Sequence, residues 1–158
     1  SDGATIALLH AGAHPNRVAA VVSEAGHVIA EDVARRGIQH ARRRYTTGLR
    51  AALVRHHGDH TDAMFHAWAD TWLDPMFERW DITARLATAT APVLILQGRN
   101  DEYAMPEHVD WIAAAVAGPA ETWILDGIGH TPHREAGGAV VSRVVEFLET
   151  YQVLSTEY

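Results

Sequence analysis

The sequence predicts an α/β protein, a parallel sheet covered by helices and interrupted by a helical insertion. Three observations carry that reading. Short apolar runs rich in β-branched residues, at 18–22, 92–97 and 122–125, are separated by stretches of helical composition, and strands joined through helices pair in parallel. The stretch 30–86 is helical in pattern but more polar than the rest, as an inserted unit would be. The chain also opens on Ser1-Asp2-Gly3, the back half of a Gly-x-Ser-x-Gly strand-to-helix turn, with the front half absent.

Taken in order, 4–13 is rich in Ala and Leu and is expected to be a helix, ending near Pro15 and Asn16, which disfavour its continuation. The run 18–22 is the first expected strand. The insertion follows, first with Arg35, Arg36, Arg42, Arg43, Arg44 and Arg50, then with an aromatic-rich piece. A second strand is expected at 92–97, closed by Gly98, and a helix at 106–116, with Pro106 suited to its first turn. The third strand is expected at 122–125 and the last, amphipathic helix at about 138–151. The domain reading is therefore a core of 1–29 and 87–158 with a helical insertion at 30–86.

Composition narrows the function. A chain of 158 residues with 47% hydrophobic content and 21% charge suits one soluble domain with a real core. A formal net charge of -7 argues against electrostatic capture of nucleic acid or an anionic membrane. Zero cysteines exclude disulfides, a thiol nucleophile and cysteine-based zinc sites. No apolar run is long enough to cross a bilayer, and the expected location is the cytoplasm.

The chemistry lies in three separated residues, each placed just after a strand, where open α/β sheets gather their ligands. Ser1 would follow a strand that precedes this sequence. Asp101 follows the second strand in Gly98-Arg99-Asn100-Asp101, and His130 follows the third in Asp126-Gly127-Ile128-Gly129-His130. A serine hydroxyl is a poor nucleophile near neutral pH, so a base must take its proton as it attacks. Imidazole can do so and then protonate the leaving group. A carboxylate holds the ring in the right tautomer and stabilises imidazolium. Ser1 is the expected nucleophile, His130 the base and Asp101 the acid, with Asn100, Glu102 and His133 as near competitors. Each alone has a bland reading as a loop residue; order and placement together favour the triad.

Ser1-Asp2-Gly3, His14-Pro15-Asn16-Arg17-Val18, Gly98-Arg99-Asn100-Asp101 and Gly127-Ile128-Gly129-His130 together resemble the C-terminal portion of an α/β-hydrolase. The Ser-Asp-Gly elbow is similar to that of valacyclovir-hydrolase-like esterases. The resemblance implies a parallel α/β-hydrolase sheet whose N-terminal strands lie outside this sequence, a helical cap at 30–86, and hydrolysis through an acyl-serine with no metal or organic cofactor. It implies the Asp2 backbone N–H as one oxyanion donor, with the second on a loop outside the sequence. It also implies that the Asp2 carboxylate meets a substrate α-amino group; an equal reading is that the carboxylate favours the start of a helix. The expected substrate is a small carboxylic ester, including amino-acid esters and amides. The expected partner is the remaining half of the fold, in the same or a second polypeptide. Without it one sheet edge is open, and the chain is not expected to fold stably alone.

Within the insertion Met64, Phe65, Trp68, Trp72, Met76, Phe77 and Trp80 recur mostly four apart, and Pro75 splits them between two pieces. Most should pack the cap, while Trp68 and Trp72 are the expected pocket residues. His56-His57-Gly58-Asp59-His60, flanked by Asp62 and His66, approaches a metallohydrolase motif but has Arg55 where its first histidine would stand. A solvated helix face is the favoured reading there and for the arginines, and no metal site is assigned. Rival functions are a meta-cleavage-type carbon–carbon bond hydrolase, which would share triad and cap, and a non-catalytic binding protein of the same fold. An N-terminal-nucleophile amidohydrolase is disfavoured by a helix directly after Ser1.

Overall fold

The computed structural model describes residues 1–153. They divide into two compact units, one of Ser1–Ile29 with the residues from Asp81 onward, the other Ala30–Trp80. Residues 81–86, expected in the insertion, lie in the core unit. Ile82 N–H bonds the Val28 carbonyl at 2.9 Å, Ile29 bridges Asp81, and a Cβ on Gly12 would sit 2.3 Å from the Arg85 carbonyl oxygen. A turn packed that closely on a helix is part of the body that holds the helix.

The core unit is a three-stranded parallel sheet in the order β1 (Val21–Glu24), β2 (Val93–Gly98), β3 (Ala120–Leu125). Val93 is paired with Val21 on one side and Ala120 on the other. As the central strand, β2 is buried at every position, which explains its unbroken apolar run. Its alternate residues serve opposite faces. Leu94 and Leu96 join Leu125 and the buried Val140 and Phe147 of the C-terminal helix, whereas Val93 and Ile95 point the other way.

Among the described residues four α-helices accompany the sheet: α1 (Asp2–Ala13), then, numbered past three in the insertion, α5 (His108–Ala115), α6 (Pro132–Glu135) and α7 (Gly137–Thr150). Most expected boundaries shift by one or two residues. The first strand shifts more, from 18–22 to Val21–Glu24. Its ladder begins only where Val21 N–H meets the Pro92 carbonyl at 2.9 Å, and it continues through Ser23 and Glu24 opposite Ile95 and Leu96. Apolar patterning stops at Val22 and cannot see that Ser23 is fully buried. The short α6, with Pro132 in its first turn, has no counterpart in the sequence reading.

The inserted unit is helical, with α2 (Asp32–Arg44), α3 (Arg50–His57) and α4 (Thr61–Leu73), followed by a 3₁₀ turn at Pro75–Arg79. Ala34, Ile38 and Ala41 form the buried stripe of α2, and Tyr45 continues it to stack on Phe65 of α4 with ring centroids 3.8 Å apart. Gly48, at φ +141°, lets the chain kink between α2 and α3.

Candidate active site

The carboxyl edge of the sheet gathers the candidate residues because of how its strands stop. The β2–β3 ladder ends with Gly98 opposite Leu125. Beyond it Arg99 N–H bonds the Leu125 carbonyl and Asn100 N–H the Ile128 carbonyl, each at 2.9 Å. The crossing is tight, since a Cβ on Gly98 would lie 2.1 Å from the Gly129 oxygen and 2.4 Å from that of Ile128. Glycine at 98 is what allows the loop before His130 to lie against the loop that carries Asp101.

Asp101 and His130 meet there. His130 Nδ1 is 2.9 Å from Asp101 Oδ1 and 2.8 Å from Oδ2. The Asp101 side chain is wholly buried and that of His130 is 17% exposed. The Gln97 amide donates to Oδ2 at 2.5 Å and the Tyr103 N–H to Oδ1 at 2.8 Å. Burial is the largest influence on Asp101 and opposes its charge. The hydrogen bond and charge of His130, the Tyr103 N–H and the Gln97 amide together outweigh burial and hold the carboxyl below its ordinary value. A carboxylate facing Nδ1 fixes the proton on that nitrogen and leaves Nε2 as the basic position. The Tyr103 ring meets the imidazole edge-on, with centroids 4.8 Å apart.

Ser1 stands at the N-terminus of α1, its carbonyl accepting from Ala4 N–H at 2.8 Å and Thr5 N–H at 3.2 Å, its amine donating to the Glu24 carbonyl at 2.5 Å. Ser1 and His130 share no hydrogen bond among the described residues; catalytic contacts of this kind often tighten only with substrate in place. Asp2 is the first residue of α1, where backbone N–H groups have no intrahelical acceptor and face outward from the positive end of the helix. Of the competitors, Asn100 and Glu102 are exposed, and His133 pairs instead with Glu24 at 2.5 Å.

Several residues of this neighbourhood escape sequence reasoning. Gln97 left one visible signal, a polar side chain ending an apolar strand. Tyr103 left none. His27 and His108 are buried histidines of the same unit. The His27 N–H bonds Thr5 Oγ1 at 3.0 Å, and that hydroxyl donates back to the His27 carbonyl at 2.8 Å. Its ring centroid is 5.4 Å from that of His108 and 6.3 Å from that of His130. Burial first, then the charges of His108 and His130, press its pKa down to about 3 against the pull of Asp101. His27 is therefore a neutral imidazole at ordinary pH.

The two tryptophans belong to the inserted unit. Trp72 is buried against Phe77 and Trp80, with ring centroids 4.9 and 5.6 Å away, and Trp68 is half-buried with its ring 5.7 Å from Phe65. His56, His57, Asp59 and His60 are exposed. Among the described residues no group of three or more His, Cys, Asp or Glu side chains could hold a metal ion. No described helix is long and apolar enough to cross a membrane.

This architecture, with an aspartate and a histidine just past successive strands, is the C-terminal part of the α/β-hydrolase fold. Solved structures agree. The chain is similar to a serine hydrolase involved in carbazole degradation (16% identity, TM-score 0.71), covering 95% of this chain and 61% of that one. It is similar to NosK of Streptomyces actuosus (19% identity, TM-score 0.71, 95% of this chain, 66% of that one). A thermophilic esterase of Thermogutta terrifontis matches at 20% identity and a TM-score of 0.62, over 96% of this chain and 63% of its own. Among curated proteins, epoxide hydrolase A of Mycobacterium tuberculosis is 32% identical over 79 residues, which is 49% of this chain and 24% of that protein. The chain thus spans less than two thirds of the length of each of these relatives. No family model matches the sequence.

Proposed function

We propose that this chain supplies the nucleophile, base and acid of a serine hydrolase that cleaves a small carboxylic ester, with amino-acid esters and amides in the candidate substrate class. The observation that carries the proposal is the buried Asp101–His130 pair at the carboxyl edge of the sheet, in the same unit as Ser1. Ser1 Oγ attacks the ester carbonyl while His130 Nε2 takes its proton, and the tetrahedral oxyanion forms beside the Asp2 N–H. Collapse expels the alcohol, which receives the proton from His130, and leaves an acyl-serine. Water repeats the sequence with the same base and frees the acid. Asp101 stays ionised throughout and stabilises the imidazolium.

The second oxyanion donor and the strand leading into Ser1 belong, in this proposal, to polypeptide outside the present sequence, in the same or a second chain. The partial coverage of the solved relatives supports that assignment. The Asp2 carboxylate is the proposed partner of a substrate amino group. A cytoplasmic setting belongs to the same reading, supported by a sequence that has no cysteine and needs no disulfide.

Labelling with a fluorophosphonate, followed by mapping of the modified peptide, tests the proposal. Modification at Ser1 that disappears in Ser1→Ala is expected; an unlabelled Ser1 in a protein that hydrolyses aryl esters sinks it. A second reading, hydrolysis of a carbon–carbon bond in a vinylogous diketone, would use the same serine, histidine and aspartate. Turnover of such a diketone but not of aryl esters would select it.

A further inference from the structure

Glu135 closes α6 and faces back along the loop that carries His130. Its Oε2 accepts the Gly129 N–H at 2.9 Å. Its Oε1 accepts the Thr131 N–H and the Thr131 hydroxyl, each at 3.1 Å. Gly129 and Thr131 are the residues on either side of His130, so one carboxylate grips the His130–Thr131 peptide directly after the histidine and the Ile128–Gly129 peptide one step upstream of it. Tethering the chain on both sides of His130 narrows the backbone conformations open to it, and with them the direction in which its side chain leaves the backbone. We propose that Glu135 is a positioning residue for His130, holding its backbone so that Nδ1 meets Asp101 without itself touching substrate. Its consequence for turnover rests on the hydrolase reading above, whereas its effect on the ring does not.

A helix cap alone does not account for this arrangement. Thr131 precedes α6 and Glu135 lies within it, so the Thr131 N–H bond is of the kind that satisfies a helix start. The Gly129 bond falls outside the helix, on the far side of His130, where a cap needs nothing. The loop is also held upstream, through the Ile128 carbonyl bond to Asn100 N–H and the close passage over Gly98, and downstream, where the Thr131 carbonyl accepts from the Arg134 and Glu135 N–H groups. The Gly129 N–H, then the Thr131 N–H, hold the Glu135 carboxyl below its ordinary value against the nearby charge of Asp101, so the grip is intact at neutral pH. Glu135 is exposed, and an exposed carboxylate contributes little to global stability. Geometry at His130, more than melting temperature, is what its loss should change.

The test uses the Nδ1 proton that His130 donates to Asp101, a downfield proton resonance that solvent exchange broadens when the bond opens. The protein is compared with its E135A, E135Q and T131V variants, with R134A as a control on the same helix. E135A is expected to weaken or lose that resonance while Tm moves little. Its kcat on an aryl ester should fall roughly ten- to a hundredfold with KM unchanged, the scale of a base held out of line. E135Q, with one acceptor oxygen and an amide N–H₂ facing the other donor, should fall between. T131V, which keeps both backbone bonds, should resemble wild type. An E135A protein with the resonance and kcat of wild type but a lowered Tm overturns the proposal and leaves Glu135 as a cap. If E135A does not fold, an E135Q protein equal to wild type in both readouts overturns it equally. Loss of the resonance in E135A of a protein that hydrolyses no ester supports the positioning role and counts only against the hydrolase reading.

Discussion

Replacing Asp101 by asparagine isolates the contribution of its charge. The carboxylate accepts from Gln97, Tyr103 and His130 with both oxygens. Asparagine keeps one acceptor oxygen, which can still serve the Tyr103 N–H, and Gln97 can turn its amide to accept from the new N–H₂. The fold should therefore survive at a cost of about 1–2 kcal/mol. The histidine fares worse, because a neutral amide neither selects the Nδ1–H tautomer nor stabilises imidazolium. By analogy with other triads the loss in kcat is about 10⁴, roughly 5 kcal/mol in the barrier. Initial rates on a p-nitrophenyl ester, paired with fluorophosphonate labelling rates and a urea melt, give both quantities on one preparation. A D101N protein within tenfold of wild type, with E102Q strongly impaired, would refute the assignment and make Glu102 the acid.

Three further outcomes are expected. Gly98→Ala places a Cβ 2.1 Å from the Gly129 oxygen, a backbone atom that cannot step aside, so the Asp101 and His130 loops must part; an activity loss and a stability loss of roughly 1–3 kcal/mol in urea are expected. Phe147→Ala empties a fully buried ring site beneath Leu94 and Leu96 and should cost about 3–5 kcal/mol in the same measurement. His27 carries a pH dependence whose sign follows from its lowered pKa. Between its folded value of about 3 and the ordinary value of 6.5 the unfolded chain binds the extra proton, so stability falls as pH falls through that window. His27→Phe should flatten that part of the stability–pH curve, read as urea midpoints between about pH 7 and pH 4; a slope as steep as wild type would show that His27 is not the group responsible.

What was legible in the sequence was what depends on local order. The apolar run of β2 announced a strand, because a strand covered on both faces has no polar side to show. Residues just past strand ends could be named as candidates because a parallel sheet presents its carboxyl ends together. The first strand was misplaced, since Ser23 and Glu24 pair through backbone groups that apolar patterning ignores. The edge of the insertion was misjudged too, since the 3₁₀ turn at Thr83–Leu86 shows in sequence like any short polar helix. Its attachment to α1 through Gly12 is a contact between distant residues.

By itself, the sequence determined that an α/β sheet carries a serine, an aspartate and a histidine in that order, because strand propensity and residue type are local properties. Only the tertiary structure decided which carboxylate serves which imidazole. Asp101 with His130 and Glu24 with His133 are pairings across the sheet edge, set by where β1, β2 and β3 end in register. The same holds for Gln97, Tyr103, His27 and Glu135. Their roles arise from backbone and side-chain groups that chain folding brings within hydrogen-bond reach, and no spacing along the chain encodes that distance.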